Sequence, residues 1–185
     1  MKRKKNKKAW DALKEKYADY LIQAGWFEES KYDNGTPIGG IAAVQNYGAV
    51  INQNVTEKQR NFLRLLGIYL RKTTQTLYIV IPATHFMEDC QNKNKEKWRK
   101  LIKDAWISVF LGNIEPDKAM EQIAFVIEGD IRKAIKDVEG PPLSPLTLEG
   151  KKRGYKDQKT TGNLGKRLEG TGQMALSVSH KVTKK

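Results

Sequence analysis

Residues 25–48 read GWFEESKYDNGTPIGGIAAVQNYG, and this stretch combines a strand, a tight turn and a helix in one short unit. The apolar start, Gly25–Lys31, predicts a strand, and Asp33-Asn34-Gly35 is typical turn sequence. Thr36-Pro37 offers an N-cap and a proline at the first helical position. A helix of small residues follows, and Gly48 stands where a helix of this kind ends.

The glycines inside this stretch predict structure and not chemistry. Gly39 and Gly40 weaken the helix, so we expect them to let another part of the backbone come close. No Gly-Lys-Ser/Thr follows them, and the strand–loop–helix offsets of a phosphate-binding loop are missing. The stretch also holds no acid, base, nucleophile or metal ligand arranged for catalysis.

The chain has 185 residues, which suffices for one domain with a real core and tails. Only 39% of the residues are hydrophobic and 30% are charged, so we expect part of the chain to be unpacked. The net charge of +13 is concentrated at the ends: residues 1–16 carry +6 and residues 150–185 carry +8. Such ends predict contact with nucleic acid phosphates, with an acidic protein surface, or with water alone.

Cys90 is the single cysteine, which excludes an internal disulfide framework and favours a reducing cytosol. The basic start of the chain runs into Trp10-Asp11-Ala12 without the apolar stretch of a signal peptide. No apolar run approaches the length of a membrane span. We therefore expect no membrane association.

Hydrophobic periodicity along the chain predicts an α+β domain, with a small mixed or antiparallel sheet packed with about four helices. The expected elements are helix 9–24, a helix after a capping box at 56–59, a buried strand 76–81, a helix carrying Trp98 and Trp106, a helix opened by Pro116, a short helix from Ser144-Pro145 to about Gly154, and a strand over 174–182. This final strand must cross most of the sequence to find its partner.

The same pattern divides the chain into four parts. Residues 1–8 form a basic N-terminal arm, and residues 9–154 form the α+β core domain. The polar, glycine-rich residues 155–170 predict a long mobile loop. Residues 171–185 hold the C-terminal strand that returns to the core sheet, followed by a basic tail.

His85, Asp89 and Cys90 form the only cluster from which enzyme or metal chemistry would start. One Cys and one His at this spacing do not make a zinc site, which needs four ligands or three and a water. Nothing in the sequence fixes a Ser-His-Asp geometry around His85 or His180. We therefore predict no catalytic, cofactor-binding or metal site, and we interpret Trp98 and Trp106 as core anchors.

Three segments together resemble one family, the virion-morphogenesis or tail-completion (neck) proteins of long-tailed double-stranded DNA bacteriophages. The first is residues 25–48, similar to a pattern that runs VGFFE, Y, DGT, IAA and NEFG. The second is IPATHFM at 81–87, similar to IPARPFM. The third joins PLSPLTL at 142–148 and GTGQMALSV at 170–178, similar to PLS–TL and DTG–L–SI. The similarity covers most of residues 20–182, and the order and spacing of the segments carry it.

The chain departs from the family pattern at four positions. Thr84 and His85 stand in place of an arginine and a proline, Gly170 in place of an aspartate, and Asn46 in place of a glutamate. The missing arginine and a missing acidic residue raise the hypothesis that one ion pair is lost from this chain.

The resemblance implies a non-enzymatic structural protein of the phage neck, without cofactors, which completes the head-proximal end of the tail and joins it to the capsid connector. It implies a homo-oligomeric ring, expected to be a hexamer, in contact with head-connector proteins and with tail-tube or tail-terminator proteins. It also implies proximity to DNA in the channel, and location in the virion after assembly in the host cytoplasm. A tail terminator, a basic nucleic-acid-binding protein and an enzyme remain as alternatives.

Overall fold

The computed structural model describes residues 20–140, 142–153, 165–168 and 170–184. Three predicted segments lie wholly or mostly outside these residues: the basic N-terminal arm 1–8, the helix 9–24 and the loop 155–170.

The described residues form a mixed α/β fold of six helices and two antiparallel sheets of two strands each, which confirms the expected α+β class. In chain order the elements are β1 (Tyr20–Gly25), α1 (Ile38–Tyr47), β2 (Ala49–Asn54), α2 (Glu57–Leu65), β3 (Thr76–Ile81), α3 (Phe86–Phe110), α4 (Pro116–Lys136), α5 (Pro145–Arg153), α6 (Gln173–Leu176) and β4 (Ser179–Lys184). One sheet pairs β1 with β4, and the other pairs β2 with β3.

The first sheet joins the two ends of the described chain. β1 and β4 run antiparallel, with Tyr20 opposite Lys184, and both strands pack on α4. The expectation that the final strand crosses most of the sequence is therefore confirmed, whereas the predicted helix 9–24 is wrong at its end. Ile22 is partly buried and its neighbours Leu21 and Gln23 are exposed, a period-two pattern that fits a strand once a distant partner is present.

The predicted strand Gly25–Lys31 is also wrong, because the chain turns directly after β1. The Ser30 amide donates to the Phe27 carbonyl at 2.9 Å, and a single bridge joins Lys31 to Pro37. The apolar residues that suggested a strand instead pack against the body of the protein: the Trp26 indole meets the Phe86 ring edge-on, with 6.2 Å between ring centroids.

Helix α1 begins without the predicted cap. Pro37 occupies the N-cap position, and no side chain caps the helix. The Thr36 amide donates to the Asn34 side chain at 3.0 Å, so these residues stabilise the turn before the helix. Gly48 ends the helix as predicted, with φ of +76°.

The predicted final strand is correct only from Ser179 onward. Residues 173–176 form one helical turn, in which Met174 and Ala175 are buried and Leu176 is exposed. Consecutive residues of a strand point to opposite faces, so two adjacent core residues fit a helical turn better than a strand.

The main core cluster joins three helices to the C-terminal segment. Its buried members are Ile38, Ala42, Phe86, Cys90, Ile131, Ile135, Leu168, Met174, Ala175 and Val178. Leu168 belongs to the stretch predicted as a mobile loop, yet its side chain is buried in this cluster. Residues separated by more than a hundred positions therefore share one core.

A second cluster fills the space between the C-terminal half of α3 and the start of α4. Its buried members are Val109, Ala119, Met120 and Ile123. Trp106 packs against this cluster and Trp98 against the main one, both partly buried. The interpretation of the two tryptophans as core anchors agrees with these positions.

The closest backbone approach is at Gly48, not at Gly39 or Gly40. A Cβ atom at Gly48 would lie 2.8 Å from the Ile81 carbonyl oxygen and 2.9 Å from the Ala83 nitrogen. A Cβ at Gly40 would meet nothing within 4 Å, and one at Gly39 would touch only Trp26 at ordinary contact distance, 3.4 Å. The expectation for Gly39 and Gly40 was wrong because α1 presents them to a side chain and to open space.

Gly48→Ala should lower the free energy of unfolding by roughly 2–3 kcal/mol, because it combines a left-handed backbone with a clash against backbone atoms. The matched control is Gly40→Ala, which should be neutral or stabilise the helix by up to about 1 kcal/mol. Denaturant unfolding measures both variants, and equal effects would contradict a special role for Gly48.

Trp106→Ala should lower the free energy of unfolding by about 3 kcal/mol, the lower end of the range for a core tryptophan, since the side chain is only partly buried. Ile107→Ala, one residue further and exposed, should cost less than about 1 kcal/mol. Thermal or denaturant melts compare the two, and a negligible shift for Trp106→Ala would disprove its anchoring role.

Candidate functional site: an exposed apolar arm

Residues 49–81 form an arm that leaves the body of the protein and returns to it. The arm consists of β2, α2, the connection 66–75 and β3. Within the described residues, β2 and β3 contact each other extensively and no other helix or strand extensively. The arm is therefore a separate extension of the fold.

The arm is an ordered structure. The predicted capping box is confirmed: the Thr56 side chain accepts from the Gln59 amide, and the Gln59 side chain accepts from the Thr56 amide. Arg60 ties α2 to the connection that follows it, donating to the carbonyls of Arg71 and Thr74 at 2.8 Å each. These bonds hold the tip of the arm in one conformation.

The arm exposes apolar side chains on both faces of its sheet. On one face Val50 lies opposite Val80, and Tyr78 follows on the same face; their exposed fractions are 65%, 67% and 72%. On the other face the paired Ile51 and Ile79 are also exposed. The predicted strand 76–81 is confirmed, but its predicted burial is wrong, because among the described elements β3 pairs with β2 alone and no helix covers the pair extensively.

Further apolar side chains are exposed near the ends of the arm. They are Tyr47 at its base and Leu65, Ile68 and Tyr69 at its tip. Contiguous apolar surface of this kind marks protein–protein contact sites, because folded monomers seldom leave large apolar patches in water. A two-stranded sheet is also marginally stable alone and gains from a covering partner.

The base of the arm is fastened at the segments that carry the family resemblance. Buried Asn46 accepts from the Met87 amide at 3.0 Å through its side chain, and its amide group donates to Glu88 at 3.1 Å. The carbonyl of Asn46 accepts from the amides of Thr84 and His85 at 3.2 and 3.0 Å. Both strands of the arm thus leave from one hydrogen-bonded junction.

This junction bears on the hypothesis of a lost ion pair. In the pattern that the sequence resembles, an arginine is expected at position 84 and an acid at position 46. The two positions touch through their backbones, and the Thr84 hydroxyl donates to the Gln45 carbonyl at 2.8 Å. In this chain neutral hydrogen bonds therefore occupy the place where that pair was hypothesised.

The resemblance-bearing segments also meet one another in the core. Ile38 and Ala42 from the first, Phe86 from the second, and Met174 and Val178 from the last belong to one buried cluster. A bond of 2.9 Å from the Trp26 indole nitrogen to the Met174 carbonyl joins the first segment to the last. Gly170 lines an open cavity of about 720 Å³ beside the turn at 32–36.

The three residues considered for enzyme chemistry are not arranged for it. His85 is exposed and takes a left-handed backbone conformation before α3, with φ of 50°. Asp89 lies in the first turn of α3 and is exposed, whereas Cys90 is buried in the core. Burial and, next, the negative charge of Asp130 raise the pKa of the Cys90 thiol, so its reactive thiolate form is disfavoured.

His180 takes part in a partly buried ionic cluster that sequence reasoning missed. Its Nδ1 and Nε2 atoms lie 2.5 Å from Glu128 and 2.9 Å from Glu121. Glu128 is buried and also pairs with Arg132 at 2.5 Å, and Arg132 donates to the Val178 carbonyl at 2.9 Å. The cluster ties β4 to α4 and balances its own charge, which fits a structural role.

The described residues contain neither a metal-binding group nor a membrane-spanning helix. Among residues 20–140, 142–153, 165–168 and 170–184, no three His, Cys, Asp or Glu side chains form a group that could hold a metal ion. Among these same residues, no helix is both long and apolar enough to pass through a membrane.

The arm could be found only in part from sequence. The β-branched run at 76–81 and the capping box at 56–59 were visible, but β2 was not predicted. Its sequence, AVINQN, has only two large apolar residues and ends in polar ones. It is therefore recognised as a strand from its pairing with β3 and not from its composition.

Comparison with known proteins gave no match to this chain among protein-family models, curated proteins or solved structures.

The free energy of unfolding should fall as pH rises above neutrality, and His180→Gln should remove this dependence. Burial lowers the pKa of His180, but hydrogen bonds from its ring to Glu128 and Glu121 outweigh burial and raise it. The protonated ring therefore stabilises the fold fully below about pH 6.5, its unfolded value, and this contribution is lost as pH rises through the folded value. Denaturant melts at several pH values test this, and parallel curves for the two proteins would refute it.

Proposed function

We propose that this protein is a structural component of a bacteriophage neck, which assembles into a ring and completes the head-proximal end of the tail. The observation that carries the proposal is the arm, an ordered extension with apolar side chains exposed on both faces of its sheet. Such a surface is suited to binding protein and offers no group for chemistry.

The family resemblance gives the proposal its biological setting. The segments at 25–48, 81–87 and 170–178 resemble neck proteins, and their side chains pack into one core cluster. The arm lies between the first two of these segments. A packed body that carries an exposed extension is an arrangement suited to ring assembly, in which each copy contacts its neighbours through different surfaces.

Contact with nucleic acid is a second candidate function, favoured by the charge of the arm. Residues 49–81 carry five Lys or Arg and one acid, a net charge of +4, and expose Tyr69 and Tyr78. Basic and aromatic side chains together can bind single strands. Exposed aliphatic residues such as Val50, Ile79 and Val80 cannot hydrogen-bond to phosphates or base edges, so protein contact remains the better-supported function.

A phage that lacks this chain should produce filled heads and tails that do not join, and supplying the chain in trans should restore joined particles. A tagged copy should be found at the head–tail junction in electron micrographs of purified virions. Complete, infectious particles formed without the chain would disprove the proposal. A position at the far end of the tail would also disprove it.

A further inference from the structure

A second exposed apolar surface lies at the turn between α3 and α4, and we call residues 104–121 the corner. Ile107, Phe110 and Leu111 lie three and four residues apart, so they share one side of α3 and its end. Their exposed fractions are 48%, 62% and 64%. The corner is thus an apolar patch that the described residues leave uncovered.

The charges of the corner complement those of the arm. The corner carries four acids and one lysine, a net charge of −3, against +4 on the arm. Asp104 and Glu115 are exposed beside the apolar patch, while Asp117 and Glu121 bond Tyr20 and His180. The cations of the arm lie at its tip, between residues 58 and 72, next to the strand face. Complementary charge beside an apolar centre is the usual anatomy of a specific protein contact.

The two surfaces lie at opposite ends of the same helix. The arm returns to the body just before Phe86, where α3 begins, and the corner starts near its last turn at Phe110. A helix of 25 residues is about 36 Å long, whereas the six-residue strands of the arm span about 20 Å. Neither strand of the arm contacts α3 or α4 extensively. The arm therefore covers the corner of another molecule more readily than its own.

We infer that the arm of one copy docks on the corner of the next copy, so that each molecule uses two different surfaces. This inference rests on the proposed ring assembly and specifies its contact. The strand face with Val50, Tyr78 and Val80 would cover the apolar patch around Phe110, with arm cations against corner acids. A contact between unlike surfaces repeats from copy to copy and closes into a ring if the rotation allows it.

The test uses two variants of the full chain that each remove one surface. Val80→Asp places a charge in the exposed face of the arm, and Phe110→Asp places one in the corner. Leu176→Asp, also at an exposed apolar residue but outside both surfaces, is the matched control. Thermal melts confirm that all three fold, and native mass measurements over a concentration series follow assembly.

Each of the two surface variants should weaken self-association about tenfold or more, and the control should assemble as the unchanged protein does. Mixing Val80→Asp with Phe110→Asp should yield a one-to-one heterodimer and nothing larger, because only one intact arm and one intact corner can meet. The heterodimer distinguishes unlike surfaces from a contact between two arms, which would give dimers of Phe110→Asp alone.

Three results would overturn the inference while leaving ring assembly standing. They are dimers of Phe110→Asp alone, unchanged assembly of Phe110→Asp, and unchanged assembly of Val80→Asp, which would favour nucleic-acid contact if Val80→Asp also weakened salt-sensitive binding of a single-stranded oligonucleotide. The second result would be expected if residues 1–19 of the same chain cover the corner. An unchanged protein that stays monomeric at every concentration and at the head–tail junction would overturn the ring itself, and the inference with it.

Discussion

The pairing of β1 with β4 is the constraint on which the rest of the fold depends. A two-stranded sheet is marginal alone, and here α4 covers it and contributes Ile123 and Ile131 to the two core clusters. Glu128 and Arg132 on the same helix bond His180 and the Val178 carbonyl. One helix thus holds together two strands that lie more than 150 residues apart in sequence. This pairing brings the two ends of the described chain together and closes the body of the protein.

The arm represents the opposite case, a two-stranded sheet that none of the described helices covers extensively. The arm is ordered by local hydrogen bonds: those of the Thr56 capping box, those from Arg60 to carbonyls of the tip, and those of Asn46 at its base. These bonds hold the backbone in place without burying the side chains of β2 and β3. The same geometry that keeps the arm ordered therefore leaves its apolar faces available to a partner.

This division of the molecule into a closed body and an open arm explains why surfaces, and not reactive groups, dominate its functional interpretation. Cys90 is enclosed in the core, and His180 is held between carboxylates by a cluster that also contains Arg132. By contrast, large apolar side chains are exposed to solvent, among them Val80 in the arm and Phe110 in the corner. These exposed apolar side chains support the proposed role in a phage neck, in which the protein would act by contact.

The sequence by itself determined the elements whose signals are local. The capping box at 56–59, the strand 76–81, the long helix with Trp98, the helix after Pro116 and the end of α1 at Gly48 were all predictable, because caps, periodicity and glycine act within a few residues. The sequence placed His85 and Cys90 close together along the chain, but only the structure showed that His85 is exposed and Cys90 is buried.

Only the tertiary structure decided the elements whose state depends on distant partners. Residues 20–25 carry an apolar pattern that helix and strand both fit, and β4 selects the strand. Residues 173–176 form a helical turn, which lets the adjacent Met174 and Ala175 both face the core. Val80 was expected to be buried, but it is exposed because none of the described helices packs extensively over its sheet. Burial and pairing are properties of the assembled chain, so no local stretch of residues could reveal them.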